Sequence, residues 1–291
     1  MTILKKNALT MRKTLVTLVA VLGLTAVAAP AMAAGGAHHP RSGGFSFEGP
    51  FGTFDQGQLQ RGYKVYREVC AACHGMDLMH FRNLGERGGP FYDPHAANPT
   101  ENRYVKALAA EIQVPDIDTE TGEAIMRDAT PADKFPSPYP NATAAAAGNG
   151  GAAPPDLSVM AKARHDGANY MYSLLSGYQA APAGLQIRPG QYYNPYMAGD
   201  MTPFWTGEGH APAGGFIAMP PPLADGQVTY DDGTAQTVDQ YAKDVSAFIT
   251  WASDPRATER KQAGFGVMIF LFLFAGVTYL SYRRIWKGVA H

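Results

Sequence analysis

One short run of the chain has residue types and a spacing that can do chemistry: Cys70-Ala71-Ala72-Cys73-His74. Two thiols three positions apart, followed at once by an imidazole, form the attachment pattern of a c-type haem, whose vinyl groups become thioethers. The histidine is then the proximal ligand of the iron. Zinc and dithiol chemistry fit less well. Structural zinc takes four Cys or His ligands, these are the only two cysteines, and His38, His39, His80, His95, His165, His210 and His291 show no His-x3-His spacing. A redox dithiol belongs in a βαβ unit, and no alternating strand pattern precedes Cys70.

An electron-carrying iron keeps its ligands when its charge changes, because reorganisation slows transfer. A thioether opposite the histidine supplies this and raises the potential. Met76 and Met79 follow His74 too closely to reach the far haem face, and Met160 and Met171 fall in helical patterns that suit core residues. Met197 and Met201 lie in an aromatic loop and stay possible. Met219 is preferred, because in Ile217-Ala218-Met219-Pro220-Pro221-Pro222 three prolines fix φ just beyond the sulfur. An enzyme with an open sixth position would want a distal His and Arg pair, and none stands out.

The segments that must position these residues lie between two apolar stretches. Residues 1–33 read as a cleaved export signal: Lys5, Lys6, Arg12 and Lys13 start it, Thr14 to Ala29 is apolar, and Ala31-Met32-Ala33 is the processing pattern. Residues 256–291 read as a membrane anchor, since Ala263 to Tyr282 carries no charge and is long enough for one helix to span. With an export signal in front, residues 34–255 lie on the periplasmic side and the C-terminus in the cytoplasm. Flanking Arg and Lys add only a weak vote for that orientation.

The chain has 24 basic and 25 acidic residues, but four basic ones belong to the signal, and six basic and one acidic lie from Arg256 onward. Residues 34–255 thus hold 14 basic against 24 acidic, a net charge of minus ten. That excludes nucleic acid as a natural partner and favours a basic one met by electrostatic steering.

Within this domain the pattern is mainly α with long irregular insertions. Leu59, Tyr63, Tyr66 and Cys70 recur at helical steps and predict a helix from Gly57 to Val69. Asn98-Pro99-Thr100-Glu101 reads as a cap opening a helix with Tyr104, Val105, Leu108 and Ile112 inward, ending before Pro115. From Asp116 to Gly151 acidic, proline and Ala/Gly residues predict a surface excursion with only short helical pieces, its role open. Asn141-Ala142-Thr143 is read as a chance glycosylation triplet. A short helix with Leu157, Met160 and Ala161 inward should follow Pro154-Pro155-Asp156, then another with Tyr170, Leu174 and Leu175 inward, ending at Gly177. Tyr192 to Pro222 is irregular. Thr237 and Gln240 form a capping box for a last helix carrying Val238, Tyr241, Val245, Phe248 and Ala252 on one face and ending at Asp254-Pro255.

Taken together, the haem motif, Pro-Pro-Asp-Leu-Ser at 154–158, Ala-Arg-His at 163–165, Tyr-Tyr-Asn-Pro-Tyr at 192–196, the methionine-proline loop, Trp-Ala-Ser-Asp-Pro at 251–255 and one terminal anchor resemble the cytochrome c1 family over nearly all of the mature chain. The resemblance implies a class I cytochrome c-like domain with one covalent haem c on Cys70 and Cys73, and His74 and Met219 as axial ligands. It also implies that Arg164 faces a propionate, Asn149 and Tyr170 lie near the haem, and Pro154 and Pro155 pack on the ring. The implied partners are cytochrome b, the Rieske iron-sulfur protein and a basic cytochrome c-type acceptor, within a dimeric cytochrome bc1 complex of the bacterial inner membrane. Some relatives staple the methionine loop with an extra cysteine pair. This chain has none, so Pro203 to Gly215 must keep that haem face dry by packing alone.

Overall fold

The computed structural model describes residues 36–288, so the expected export signal lies outside the described residues. Among them are six α-helices: α1 (Gln56–Glu68), α2 (Arg103–Ala110), α3 (Ala142–Gly148), α4 (Gly167–Leu175), α5 (Val238–Ser253) and α6 (Ala257–Ile285). Four short strands, β1 (Gln113–Ile117), β2 (Ala124–Asp128), β3 (Tyr192–Asn194) and β4 (Gly215–Ile217), form two antiparallel pairs, β1-β2 and β3-β4. The regular structure of the domain is therefore mainly helical, as its periodicity implies.

The core is built where α1 and α5 cross. The Asp55 side chain caps α1, accepting from the Gln58 amide at 2.6 Å, and Thr237 caps α5, accepting from the Gln240 amide at 3.3 Å. Gln240 does not complete the expected capping box, because its amide reaches Asp244 at 2.8 Å instead. Gly62 permits the close crossing: a Cβ there would lie 2.1 Å from the Asp244 carbonyl oxygen and 2.7 Å from the Phe248 Cβ. Tyr63, Tyr66, Phe135, Phe248 and Trp251 pack their rings around it. The fully buried Asp244 carboxylate accepts from Arg61 at 2.9 Å, Gln58 at 3.2 Å and Gln240, so its charge is met by a cation and two amides.

Several local expectations need correcting. The second helix begins at Arg103, not beside Asn98. Asn98 closes a turn onto the Thr100 and Glu101 amides, while the fully buried Asn102 caps α2 and donates to the Phe91 carbonyl at 2.7 Å. Tyr104, expected inward, is exposed and lies under Arg103. The excursion after Pro115 contains a β-hairpin that its acidic, non-alternating sequence concealed, with Gly122 in the left-handed region (φ 74°) at the turn. The segment from Leu157 to Ala163 forms successive turns rather than a helix, although Leu157 and Ala161 are buried. In α4 the buried face is Ala168, Met171 and Tyr172, and the Tyr170, Leu174 and Leu175 face stays half-buried. The irregular 192–222 stretch holds the small β3-β4 pair.

At the C-terminus, α6 spans 29 residues, its apolar residues exposed along its length. Among the described residues it is the one helix long and apolar enough to cross a membrane. It anchors the domain.

Candidate functional site

The cysteine motif begins where α1 ends. Cys70–Ala72 form a 3-10 turn, and the amides of Cys73 and His74 both donate to the Cys70 carbonyl, at 3.1 and 2.9 Å. Both thiols are free and partly exposed as residues. Burial around the Cys70 sulfur, with Cys73 beside it, pushes that thiol up to about 12. A dithiol redox centre needs the opposite shift, toward thiolate at neutral pH. Among the described residues no group of three His, Cys, Asp or Glu side chains could hold a metal ion.

His74 is oriented by the Pro154-Pro155 segment. Its Nδ1 lies 2.8 Å from the Pro155 carbonyl oxygen. A carbonyl only accepts, so Nδ1 carries the proton and Nε2 keeps its lone pair for a metal. The same segment is zipped to the residues that follow His74: Leu157 donates to the Gly75 carbonyl at 2.9 Å, Asp77 donates to the Asp156 carboxylate at 2.7 Å, and Leu78 to the Ser158 hydroxyl at 3.1 Å. Pro155 thus acts through its backbone oxygen, a role that sequence reasoning, which assigned it to ring packing, missed.

Burial sorts the methionines. Met76, Met79 and Met171 are buried in the main core, and Met201 in a second cluster with Leu185 and Tyr193. Met160, Met197 and Met219 stay half-buried. The Met197 sulfur accepts from the Tyr170 hydroxyl at 3.6 Å. Met219 lies two residues beyond β4, which pairs through Ile217 with Tyr192 of β3, and its carbonyl accepts from the Tyr178 hydroxyl at 3.0 Å. Tyr178 was not singled out by sequence, since a tyrosine beyond a helix end gives no periodic signal.

The remaining expected residues do not converge through polar contacts. The exposed Arg164 donates to its neighbour's carbonyl, Ala163, at 3.1 Å. Asn149 caps the C-terminal end of α3 and donates to the Ala145 carbonyl at 2.7 Å. Tyr170 is engaged with Met197.

These residues fit a haem. The motif supplies a directed imidazole nitrogen and two thiols, and Cys70, Ala71, Met160, Tyr170 and Leu175 pack on the main core yet remain partly uncovered. A flat apolar group held by His and thioether links suits such a donor set. The loop beyond β3 is held by packing, as expected without a disulfide: Phe204, Trp205 and Phe216 surround the second cluster, and Leu185 bridges to Trp205.

Comparison with known proteins agrees with this geometry. Residues 45–289 match the Cytochrome C1 family. The chain is 40% identical over 283 residues to "Cytochrome c1" of Rhodospirillum rubrum, covering 89% of this chain and 94% of that protein. It is 44% identical over 237 residues to "Cytochrome c1-2, heme protein, mitochondrial" of Solanum tuberosum, covering 81% of each. A "Cytochrome b/c1" of Bradyrhizobium diazoefficiens is 43% identical over 270 residues, which is 86% of this chain and 36% of that longer protein, so the chain spans about a third of it. A family match over residues 45–289, with relatives about 40% identical and covered almost end to end, places this chain in the cytochrome c1 family.

Proposed function

We propose that this chain is the haem-bearing relay of a cytochrome bc1 complex, taking single electrons from the Rieske iron-sulfur protein and passing them to a soluble or tethered cytochrome c. Cys70 and Cys73 would hold one haem c covalently, with His74 and Met219 as axial ligands. The haem, when bound, supplies reversible one-electron chemistry. The chain does the rest. His74 is aimed by the Pro155 carbonyl, the α4 face at Tyr170, Leu174 and Leu175 offers an apolar wall, and the β3-β4 pair with Tyr178 holds the Met219 loop still. Arg164, Asn149 and Pro154 would border the group, Arg164 toward a propionate.

The observation that carries this reading is the His74 Nδ1 bond to Pro155, which leaves the Nε2 lone pair available in the motif that carries both thiols. The acidic domain, at minus ten over residues 34–255, suits a basic acceptor. A cleaved leader at 1–33 would put the domain in the periplasm, anchored beside cytochrome b in the inner membrane of a dimeric complex. Extraction in mild detergent tests the assembly: cytochrome b and the iron-sulfur protein should co-purify with the chain. A chain that comes away alone, with its haem intact, would be a free-standing tethered carrier instead.

A further inference from the structure

Where the domain meets its anchor there is a cavity of about 210 Å³, distinct from the haem-binding residues. Its wall carries three cations, Lys162, Arg260 and Lys261, against one carboxylate, Asp254. Asp254 holds Arg260 at 2.5 Å and Lys162 at 3.3 Å. Lys261 donates to the Phe47 carbonyl at 2.5 Å, which ties the first turns of α6 to the N-terminal part of the domain. Two positive charges therefore remain uncompensated in one concavity. The side chains of Lys162 and Arg260 are 58% and 65% exposed, so both have donors to spare.

The height of this cavity decides its ligand. Lys261 lies two residues before Ala263, where the uncharged stretch begins, so it sits about 3 Å above the hydrocarbon edge at helical rise. Just below, Phe51, 75% exposed, meets Phe265 of α6 edge-on at 5.6 Å and offers an apolar ledge. Cations at headgroup level above an aromatic ledge match a molecule with a phosphate head and acyl tails. We propose that this cavity binds the phosphodiester of an anionic phospholipid from the leaflet facing the domain, with Lys162, Arg260 and Lys261 as its cationic donors and the Phe51-Phe265 ledge against its chains. A free phosphate ion shares the head chemistry but gains nothing from the ledge.

Native mass spectrometry of the full-length, haem-loaded chain tests this in nanodiscs of phosphatidylcholine with or without phosphatidylglycerol. One phosphatidylglycerol should be retained per chain in preference to phosphatidylcholine. Each of Lys162→Gln and Arg260→Gln should weaken retention about fivefold, and the double variant about 25-fold. The charge-conserving pair Lys162→Arg and Arg260→Lys should retain the lipid, and haem absorbance reports that every variant is folded. Equal retention of both lipids, or retention unchanged in the double variant, overturns the site. So does displacement of the lipid by millimolar inorganic phosphate, which would make it a site for the ion alone.

Discussion

At the scale of single residues, the site depends on two oxygens that receive hydrogen bonds. The Pro155 carbonyl fixes the tautomer of His74, and the Met219 carbonyl is fixed by Tyr178. Met219→Leu should lower the midpoint potential, because a thioether opposite histidine raises it, and should let carbon monoxide bind the reduced protein. A drop smaller than about 59 mV, a tenfold change for a one-electron couple, would move the ligand assignment to Met197. Tyr178→Phe removes one neutral hydrogen bond, worth about 1 kcal/mol. It should loosen the ligand loop without unfolding the domain, so that imidazole displaces the methionine at roughly fivefold lower concentration, read from the absorption spectrum. The proline stiffening just beyond Met219 was legible in the sequence. Tyr178 and the Pro155 oxygen were not, because backbone acceptors leave no trace in residue type.

At the scale of elements, charge networks tie together pieces that are remote in sequence. Arg61 on α1 pairs with the fully buried Asp244 on α5. Removing one partner of a buried pair strands the other charge, so Arg61→Leu should cost about 3 kcal/mol, seen as a lower midpoint in urea. The β1-β2 hairpin is held differently. Arg127 pairs with both Asp116 and Asp133, and its hydrogen bonds keep both carboxyls below their usual range. A carboxylate whose folded value is depressed adds stability above its unfolded value, near 3.9, and loses it as pH falls toward the folded value. The hairpin should therefore be firm at neutral pH and loosen below about pH 4. The hydrogen-exchange protection factor of the Ala129 amide, which donates to Ile112 at 2.8 Å, should fall over that window. In Arg127→Gln the same amide should exchange fast at neutral pH, with the haem spectrum unchanged.

At the scale of the whole molecule, a net charge of minus ten over residues 34–255 would steer a basic acceptor over a range set by the Debye length, about 10 Å at 0.1 M salt. Electron transfer to such an acceptor should slow as salt rises, through a slower encounter, while transfer within a preformed complex holds steady. Stopped-flow kinetics across ionic strength measures both, and a second-order rate indifferent to salt would remove electrostatics from docking.

The sequence by itself determined the haem motif, the apolar anchor, the acid balance and the helices that bracket the core, since each is written in local spacing, and spacing alone dictates what one turn or one span can do. Helix α5 was readable from its cap to Ser253 because its large apolar residues Tyr241, Val245 and Phe248 recur at helical spacing after a threonine cap. Only the tertiary structure decided which face of α4 is covered, where α2 starts, that the acidic excursion folds into a hairpin, and which methionines are consumed by packing. Asn102 outcompeted Asn98 as a cap because burial and a bond to Phe91 give it a second partner. The hairpin is exposed on most positions, so it had no buried stripe to alternate. Those outcomes depend on contacts between distant segments, whose energies no window of neighbouring residues contains.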